Sequence, residues 1–347
     1  MGPDRKALRR RLLAWFRRRK RDLPFRRTRD PYAILVAEVI LQRTRIETGL
    51  RYYERFLAAF PTVRALAAAP ESEVLRVWEG LGYYRRARNL HAAAKTVVEG
   101  FGGELPADFE ALRALPGIGD YTAGAVGSIA FGLRVPAVDG NATRVLARVF
   151  GVEGDVSRAS GRRIVRALAA ELVPSDDPGT WNQALMEFGG NVCTPRAPAC
   201  PSCPLAGECK ALAAGRQEAI PMTPAKAPVP VVPVVFVVLR RGDSILLVRR
   251  QGNLHGGLYG LPGGEKRQGE SDARALRRHV ALLGVQAGPL RPLAPVRQAF
   301  SHRRWEGTAY VGRAKGRPRG AEWIPLDRLP RLPLVPLHRV LLAHATP

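Results

Sequence analysis

The stretch from Leu115 to Gly124, which reads LPGIGDYTAG, decides how the first half of this chain folds. Its proline predicts the end of a short helix over 108–114, and Gly117 and Gly119 allow a tight turn after it. A second helix over 120–131 is predicted to begin directly after the turn. The backbone amides exposed at the start of that helix can bind a phosphate without any basic side chain.

This pattern of two helices around a glycine turn is typical of a helix-hairpin-helix, which holds the DNA backbone independently of base sequence. A Gly-x-Gly turn between helices is often only a connector, and that alternative remains. The LPGIG string and the small residues after it favour phosphate binding, so Gly117 and Gly119 are candidate DNA-binding residues.

Outward from this motif, Gly and Pro punctuate a series of helical patterns. The predicted helices span 30–44, 47–60, 62–69, 71–80, 83–99, 141–150, 158–173 and 178–190. Strand-like alternation is almost absent before residue 230. We therefore predict an all-α domain over residues 1–212.

A different pattern follows residue 212. The Pro- and Ala-rich stretch 213–230 predicts a semi-rigid linker. The predicted elements beyond it are strands over 231–239 and 244–250 joined by an RRGD turn, a helix over 271–283, and strands over 308–311 and 322–324. Residues 231–347 are thus predicted to form a smaller α+β domain.

The composition limits the class of protein. The 347 residues include 55 Lys and Arg against 30 Asp and Glu, a net charge of +25, which favours nucleic acid as the partner. The longest apolar run, Val229–Leu239, is about half the roughly 20 residues that a membrane-spanning helix needs. The first residues turn basic without an apolar signal core, so we expect a cytoplasmic, nucleoid-associated protein.

A basic stretch over 5–29 interleaves its arginines with Leu8, Leu12 and Phe16 at helical spacing, so one face can pack while the other stays charged. Either the charged face is only solvated or it contacts phosphates directly. Arg26 lies in this stretch and is a candidate DNA-binding residue.

Asp139 lies in the string VDGNATR, which spans 138–144. The simplest interpretation is that Asp139 caps the helix that begins near Asn141. A carboxylate close to a bound phosphate is costly unless it serves something cationic. Asp139 could therefore stabilise an oxocarbenium ion in glycosyl transfer.

Glu38 lies within the apolar run ILVAEVIL, and its helical neighbours Ile34, Leu35 and Leu41 are apolar. Burial disfavours a charged carboxylate, raises its pKa and makes it a usable general acid near neutral pH. The alternative is a glutamate tolerated at a partly exposed position. Glu38 and Asp139 would together form the pair of carboxylates that breaks glycosidic bonds.

The four cysteines of the chain lie between residues 193 and 209, with spacers of six, two and five residues. This crowding favours a metal over disulfides. Structural zinc usually uses two short knuckles separated by a longer spacer, whereas one compact loop suits an iron–sulfur cluster better. The predicted ligands are Cys193, Cys200, Cys203 and Cys209.

Residues 22–212 resemble the helix-hairpin-helix, Gly/Pro-rich-loop, Asp superfamily of base-excision DNA glycosylases, and within it the MutY family of adenine glycosylases. The matching strings are RDPY (29–32), EVILQ (38–42), WEGLGYY (78–84), RNLHA (88–92), LPGIG (115–119), VDGN (138–141) and the four cysteines. The resemblance implies a six-helix barrel over about 30–135, and an iron–sulfur module formed by 1–29 and 136–212 that holds a [4Fe–4S] cluster.

The same resemblance implies the roles of the catalytic residues. Glu38 would protonate a flipped adenine at N7, and Asp139 would stabilise the sugar cation and help to deliver water, supported by Tyr121 and Asn141. Related enzymes that also cut the strand carry lysine at position 121, where it forms a Schiff base. Tyrosine cannot do so, which predicts base removal without efficient strand scission.

Further residues match those that fill the gap and surround the opposing lesion in the family: Gln42, Arg43, Thr44, Leu81 and Tyr83. Arg43 departs from the usual second glutamine of the family. A monovalent or divalent cation at the helix-hairpin-helix is also expected. The predicted partner is double-stranded DNA with an A:8-oxoguanine or A:G mispair, bound by a monomer.

The string LPGG over 261–264, followed by Glu270, resembles the start of a Nudix box. The box continues with Arg-Glu-x-x-Glu-Glu, whose carboxylates hold the metal, but residues 278–283 of this chain read Arg-His-Val-Ala-Leu-Leu. We therefore predict a Nudix-like recognition domain without the pyrophosphatase cation site. Phe300, Ser301 and His302 match the family loop that probes 8-oxoguanine, whose N7 carries a hydrogen that guanine N7 lacks.

Three alternatives remain at this level. A mismatch thymine glycosylase of the same superfamily also carries tyrosine at position 121. A nucleotide pyrophosphatase is disfavoured by the missing carboxylates. In a DNA-binding module without catalysis, Glu38 and Asp139 would be incidental.

Overall fold

A computed structural model describes residues 3–222, 227–252 and 254–345. The chain forms two compact units, Met1–Ala67 with Ala92–Ala225, and Ala68–His91 with Lys226–Pro347. The predicted architecture, an all-α part followed by a smaller α+β part, is confirmed. The segment Ala68–His91 belongs to the second unit, although the sequence-based division assigned it to residues 1–212.

The helices of the first part of the chain are α1 (Arg5–Arg19), α2 (Pro31–Leu41), α3 (Ile46–Ala59), α4 (Val63–Ala68), α5 (Glu71–Val77), α6 (Arg85–Gly100), α7 (Phe109–Ala114), α8 (Asp120–Phe131), α9 (Gly140–Phe150), α10 (Ala159–Leu172), α11 (Pro178–Asn191) and α12 (Lys210–Ala213). The ends of α2 to α11 lie within three residues of the predicted ones. None of the helices in the described ranges has the length and hydropathy needed to cross a bilayer.

Helix α2 is buried on every side. Asp30 caps its first turn through the Tyr32 amide, and Pro31 occupies the first helical position. The nine residues from Tyr32 to Ile40 are all buried. A helix that is apolar all round belongs in a core, and this one carries Glu38 into it.

Helix α1 divides into an apolar and a basic face, as its spacing predicted. Leu8, Leu12 and Phe16 are buried in one core with residues of α9, α10 and α11. The arginines of the last turn, Arg17 to Arg19, are exposed.

The chain after α12 stays packed on the helical core. Ile220 is buried in that core, and its carbonyl oxygen accepts a hydrogen bond of 2.8 Å from Arg148 Nε. The first part of the predicted linker is therefore anchored by an apolar side chain that the Pro/Ala composition concealed. Residues 223–226 of that linker lie outside the described residues.

The strands of the second unit are β1 (Val231–Arg241), β2 (Ser244–Arg249), β3 (Tyr259–Gly260), β4 (Gly263–Glu265), β5 (Gln286–Ala287), β6 (Arg291–Ala299), β7 (Arg304–Lys315) and β8 (Glu322–Pro325). Strand β1 pairs antiparallel with β2 and β4, and parallel with β7. The predicted β1–β2 hairpin is confirmed, with Gly242 in the left-handed region at φ +55°.

Two helices of this unit, α13 (Asp272–Ala281) and α14 (Pro336–Ala343), contribute to opposite faces of the sheet. The run from Val234 to Leu239 is buried on both faces, which explains why it reads as continuously apolar. The sequence did not predict β6, because Pro292 and Pro295 argue against a strand; the register shifts beside Pro292.

Candidate active site

A pocket of about 200 Å³ opens in the first unit between α2, α8, α11 and the start of α9. Its lining includes residues that the sequence predicted for catalysis and DNA binding, together with a buried acid: Arg26, Glu38, Thr44, Tyr121, Asp139, Asn141 and Glu187. All four predicted catalytic residues therefore lie in one pocket, although they are spread over more than 100 positions of sequence.

Glu38 is 8% exposed, and its Oε2 accepts a hydrogen bond of 2.5 Å from the Tyr121 hydroxyl. Burial raises the pKa of the Glu38 carboxyl to about 7, with the Tyr121 bond lowering it and the nearby Asp139 raising it. A glutamate with this pKa is protonated in a large fraction of molecules at neutral pH. It can act as a general acid.

Asp139 is both a helix cap and a pocket residue, so the two interpretations made from the sequence are compatible. Its Oδ1 accepts the Ala142 amide at 2.7 Å, and its Oδ2 accepts Asn141 Nδ2 at 2.9 Å. Burial raises the pKa of Asp139, and these hydrogen bonds oppose the rise. The side chain is thus fixed from two directions.

Asn141 is held by a chain of contacts that the sequence analysis missed. Arg144 donates to Asn141 Oδ1 at 2.9 Å, to the Gly189 carbonyl at 2.6 Å and to the Cys193 carbonyl at 2.7 Å. A Cβ at Gly189 would lie 2.6 Å from the Asn141 Cβ, so this close approach requires glycine. Arg144 thereby links the pocket to the start of the cysteine loop.

Glu187 is a third pocket carboxylate, and the sequence did not reveal it. The Arg21 guanidinium binds it with two hydrogen bonds of 2.8 and 2.7 Å, and Arg26 adds one of 2.9 Å. Burial would raise the pKa of Glu187, but the two arginines bring it down to about 2. Glu187 is therefore ionised, and Arg26 is a pocket residue with a side chain only 12% exposed.

The helix-hairpin-helix has the geometry that its sequence predicted. Helix α7 ends before Leu115, Gly117 has a φ of +75°, and Gly119 is the N-cap of α8. A Cβ at Gly119 would have no atom of the described residues within 4 Å, so protein packing does not demand glycine there. The exposed Gly119 therefore leaves the amides at the start of α8 accessible.

The four cysteines line one small pocket, and each is partly buried. Arg148 donates to Cys193 Sγ at 3.3 Å, and Cys209 Sγ donates to the Arg148 carbonyl at 3.5 Å. Burial raises the pKa of the Cys203 thiol to about 11. Within the described residues, no three His, Cys, Asp or Glu side chains are grouped to hold one metal ion. Four sulfur donors beside a guanidinium fit the chemistry of an iron–sulfur cluster.

The predicted gap-filling residues lie in two places. Gln42 caps α2 and donates to Thr122 Oγ1 at 3.2 Å, and exposed Arg43 has a φ of +58°. Leu81 and Tyr83 lie in the second unit, between α5 and α6, and Tyr83 is 49% exposed.

The predicted lesion loop is the tip of the β6–β7 hairpin. The Phe300 amide donates to the Arg303 carbonyl at 2.8 Å, which closes the turn. Phe300 packs edge-on against Trp305 with ring centroids 4.8 Å apart, while Ser301 and His302 are exposed. The aromatic residue anchors the loop and leaves the hydroxyl and the imidazole accessible.

The Nudix-like motif has His279, Leu282 and Leu283 at the positions where a cation site would need carboxylates. Arg278 of α13 donates to both carboxylate oxygens of Glu270, at 2.9 and 2.6 Å. The one acidic residue within α13, Asp272, pairs with Lys266 and accepts the Tyr310 hydroxyl.

Comparison with known proteins agrees with this arrangement. A model of the HhH-GPD superfamily of base excision DNA repair proteins matches residues 36–175, and a NUDIX domain model matches residues 234–344. The adenine DNA glycosylase of Mycolicibacterium smegmatis is 40% identical over 205 residues, which cover 59% of this chain and 69% of that protein. This chain belongs to the adenine DNA glycosylase family.

Other members of the adenine DNA glycosylase family are longer. The Rattus norvegicus member is 43% identical over 233 residues, covering 64% of this chain and 45% of its own length. The Homo sapiens member is 44% identical over 216 residues and is covered over 40% of its length. This chain thus spans less than half the length of these mammalian relatives.

Among solved structures, a thermostable thymine-DNA glycosylase is 32% identical with a TM-score of 0.56, covering 60% of this chain and 97% of that one. A trapped endonuclease III–DNA covalent intermediate is 26% identical with a TM-score of 0.52, covering 61% and 98%. Both agree with the fold of the glycosylase part of the chain.

Proposed function

We propose that this protein is a monofunctional base-excision DNA glycosylase that hydrolyses the N-glycosidic bond of adenine paired with 8-oxoguanine or guanine. The observation that carries this proposal is the buried Glu38, with a pKa near neutrality, in the same pocket as Asp139. Family membership supports the choice of reaction.

In the proposed reaction the target adenine leaves the base stack and enters the pocket. Protonated Glu38 donates its proton to adenine N7. The C1′–N9 bond then breaks, and its electron pair goes to the base, which leaves as neutral adenine. Tyr121 orients the Glu38 carboxyl through the 2.5 Å hydrogen bond.

Loss of the base leaves a positive charge on the sugar ring. The Asp139 carboxylate stabilises this cation and accepts a proton from the water that attacks C1′. Asn141 holds the carboxylate through its 2.9 Å bond to Oδ2. The product is an abasic site in an intact strand, since Tyr121 cannot form the Schiff base that a lysine would form.

Glu187 supports adenine over thymine as the base that enters the pocket. An ionised carboxylate accepts hydrogen bonds, and adenine has an exocyclic amino group to donate, whereas thymine has a carbonyl at the corresponding edge. Arg21 and Arg26 keep Glu187 in the accepting form.

The second unit would choose the opposite base. Exposed Ser301 can accept the hydrogen on N7 of 8-oxoguanine, and a good contact of this kind discriminates by about 1–3 kcal/mol. His302 lies beside it at the hairpin tip.

Cys193, Cys200, Cys203 and Cys209 would hold a [4Fe–4S] cluster, which would cross-link their loop to the helical core. Arg144 connects this loop to Asn141, because it donates hydrogen bonds to both the Cys193 carbonyl and Asn141 Oδ1. The amides of the helix-hairpin-helix would bind a phosphate of the DNA backbone, with or without a cation.

One assay tests the proposal against its alternatives. Duplexes with A:8-oxoguanine, A:G or T:G, and free 8-oxo-dGTP, are incubated with the protein, and alkali then reveals abasic sites as nicks. We expect nicks at adenine after alkali and few before it. Nicks at thymine alone would identify a thymine glycosylase, and this chain is similar to a solved thymine-DNA glycosylase. Binding of the duplexes without base release would leave a non-catalytic DNA-binding protein.

A further inference from the structure

The turn from Gly80 to Tyr83, hereafter the gap-filling turn, has a strained and closely held backbone. Gly80 and Gly82 have φ angles of +94° and +73°, and Tyr83 has +49°, which is uncommon for a residue with a side chain. Trp78 Nε1 donates to the Gly82 carbonyl at 3.0 Å, and the Arg86 guanidinium lies 5.4 Å from the Tyr83 ring centroid. Such a turn presents its side chains in one defined arrangement.

The residue just before this turn is bound by the C-terminal helix of the same unit. Arg339 of α14 donates to Glu79 Oε1 at 2.5 Å through Nε and to Oε2 at 2.8 Å through Nη2. The Glu79 side chain is 16% exposed. A third bond, of 3.0 Å from Arg339 to the Leu332 carbonyl, fixes the guanidinium. Two parallel bonds from a planar fork define orientation as well as distance.

Helix α14 is itself anchored in the sheet domain. His338, next to Arg339, is buried; its Nδ1 accepts the Leu261 amide at 2.9 Å and its ring lies 4.5 Å from the Phe236 ring. Leu341 and Leu342 are buried in the same core. Arg339 therefore extends from a fixed support.

Other contacts between Ala68–His91 and the sheet domain lie on the flanking helices. Arg88 of α6 donates to the Gly256 carbonyl. Gly257 lies against α5: a Cβ there would lie 2.7 Å from Leu75 Cδ1, and its φ of +86° favours glycine. These contacts hold the helices on either side, whereas the Glu79–Arg339 pair acts at the turn itself.

We propose that Arg339 is a positioning residue for the gap-filling turn: through Glu79 it sets where Leu81 and Tyr83 stand when they fill the space left by the extruded base. The proposal rests on the proposed function, since it concerns base extrusion by the same enzyme. It makes the Nudix-like domain a support for the gap-filling step as well as the carrier of the lesion loop.

The test uses the full chain with Arg339→Gln, Glu79→Gln and the double variant. Arg328→Gln is the matched control, because Arg328 is an exposed arginine that also lies near the C-terminus of the chain. Single-turnover excision is measured on A:8-oxoguanine and A:G. The fluorescence of 2-aminopurine beside the target adenine rises when that adenine is extruded, because 2-aminopurine then loses a stacking partner, and thermal unfolding checks the fold.

We expect each single variant to slow excision by about three- to tenfold on both mispairs, since a partly exposed bidentate pair is worth roughly 1 kcal/mol. The 2-aminopurine signal should fall in parallel, while the ratio of rates on A:8-oxoguanine and A:G stays unchanged. The double variant should be no slower than either single one, because both remove the same interaction. Arg328→Gln should match the unmodified protein.

Normal 2-aminopurine signal and excision by Arg339→Gln would overturn the proposal, and so would single effects that multiply in the double variant. Should Arg339→Gln not fold, Arg339→Lys keeps the charge but loses the fork, and it should show the same fall in signal. If the unmodified protein removes no adenine, the proposed function fails instead, and the 2-aminopurine signal on the bound duplex still reports on Arg339.

Discussion

Glu38 in the candidate active-site pocket of the helical unit and Glu270 in the Nudix-like motif of the second unit have pKa values shifted in opposite directions. Burial raises the pKa of Glu38 to about 7, and the bond that it accepts comes from a hydroxyl. The Arg278 guanidinium lowers the pKa of Glu270 to about 2. A buried acid beside a hydroxyl still carries a proton to give near neutral pH, whereas an acid paired with arginine is already ionised.

The largest expected effect on the rate of excision is that of a change at Glu38. Glu38→Gln keeps the size and the acceptor for Tyr121 but has no proton to give, so excision should fall by about 10²–10⁴-fold. Single-turnover kinetics on A:8-oxoguanine measures this. The matched change Glu270→Gln should leave the rate within about twofold of normal, since the Arg278 pair takes no part in the chemistry. Comparable losses of excision rate in Glu38→Gln and Glu270→Gln would show that the two glutamates do not differ in their part in the reaction.

Asp139→Asn tests the second carboxylate of the pocket. Asparagine still caps a helix, so α9 should form, but it cannot stabilise a cation by charge. We expect excision on the order of 100-fold slower, with duplex binding retained. Single-turnover excision and gel-shift affinity distinguish the two effects. If Asp139→Asn excises adenine at the normal rate, Asp139 serves only as the N-cap of α9.

At pH 8, Glu38→Gln and Glu270→Gln should differ from the unmodified protein in opposite directions in their free energy of unfolding. Because the folded pKa of Glu38 is raised, the stability it contributes is complete below about pH 4.5 and is lost as the pH rises through about 7. Glu38→Gln should therefore be more stable than the unmodified protein at pH 8. Its gain in the free energy of unfolding over the unmodified protein should be larger at pH 8 than at pH 5 by on the order of 2–3 kcal/mol.

Glu270 has a lowered pKa, so its contribution is present above about pH 4.5 and is lost as the pH falls through about 2. Glu270→Gln should be destabilised at pH 8. Urea unfolding at pH 8, with the unmodified protein as the reference, gives the sign for both variants. At pH 5 the Glu38→Gln effect should be smaller, whereas the Glu270→Gln effect should remain. The same sign in both would contradict the assignment of opposite environments.

The smallest effect is expected in the lesion loop. Ser301→Ala with His302→Ala removes polar groups from the second unit and leaves the pocket intact, so excision on A:G should hardly change. The preference for A:8-oxoguanine over A:G should narrow by roughly tenfold. Rates on the two duplexes give the ratio, and an unchanged ratio would exclude the loop from lesion recognition.

Features set by neighbouring residues could be predicted from the sequence. The apolar neighbours of Glu38 predicted its burial, and the glycines of LPGIG predicted the turn at Gly117. The β1–β2 hairpin and the positions of the helices along the chain could be predicted from local patterns in the same way.

Contacts between distant residues could not be predicted. Glu187 meets Arg26 across 161 positions, and Glu79 meets Arg339 across 260. A lone glutamate in a helix carries no local signal that an arginine will reach it. The grouping of Ala68–His91 with the sheet domain depends on contacts of this kind.

The pH dependence of single-turnover excision tests whether Glu38 donates a proton from a pocket that keeps its pKa near neutrality. The rate should be high below pH 7 and fall as the pH rises through about 7. Tyr121→Phe removes a hydrogen bond that lowers this pKa, so the fall should move to higher pH. A rate that is constant from pH 6 to 9, or the same midpoint in both proteins, would show that Glu38 is not the proton donor.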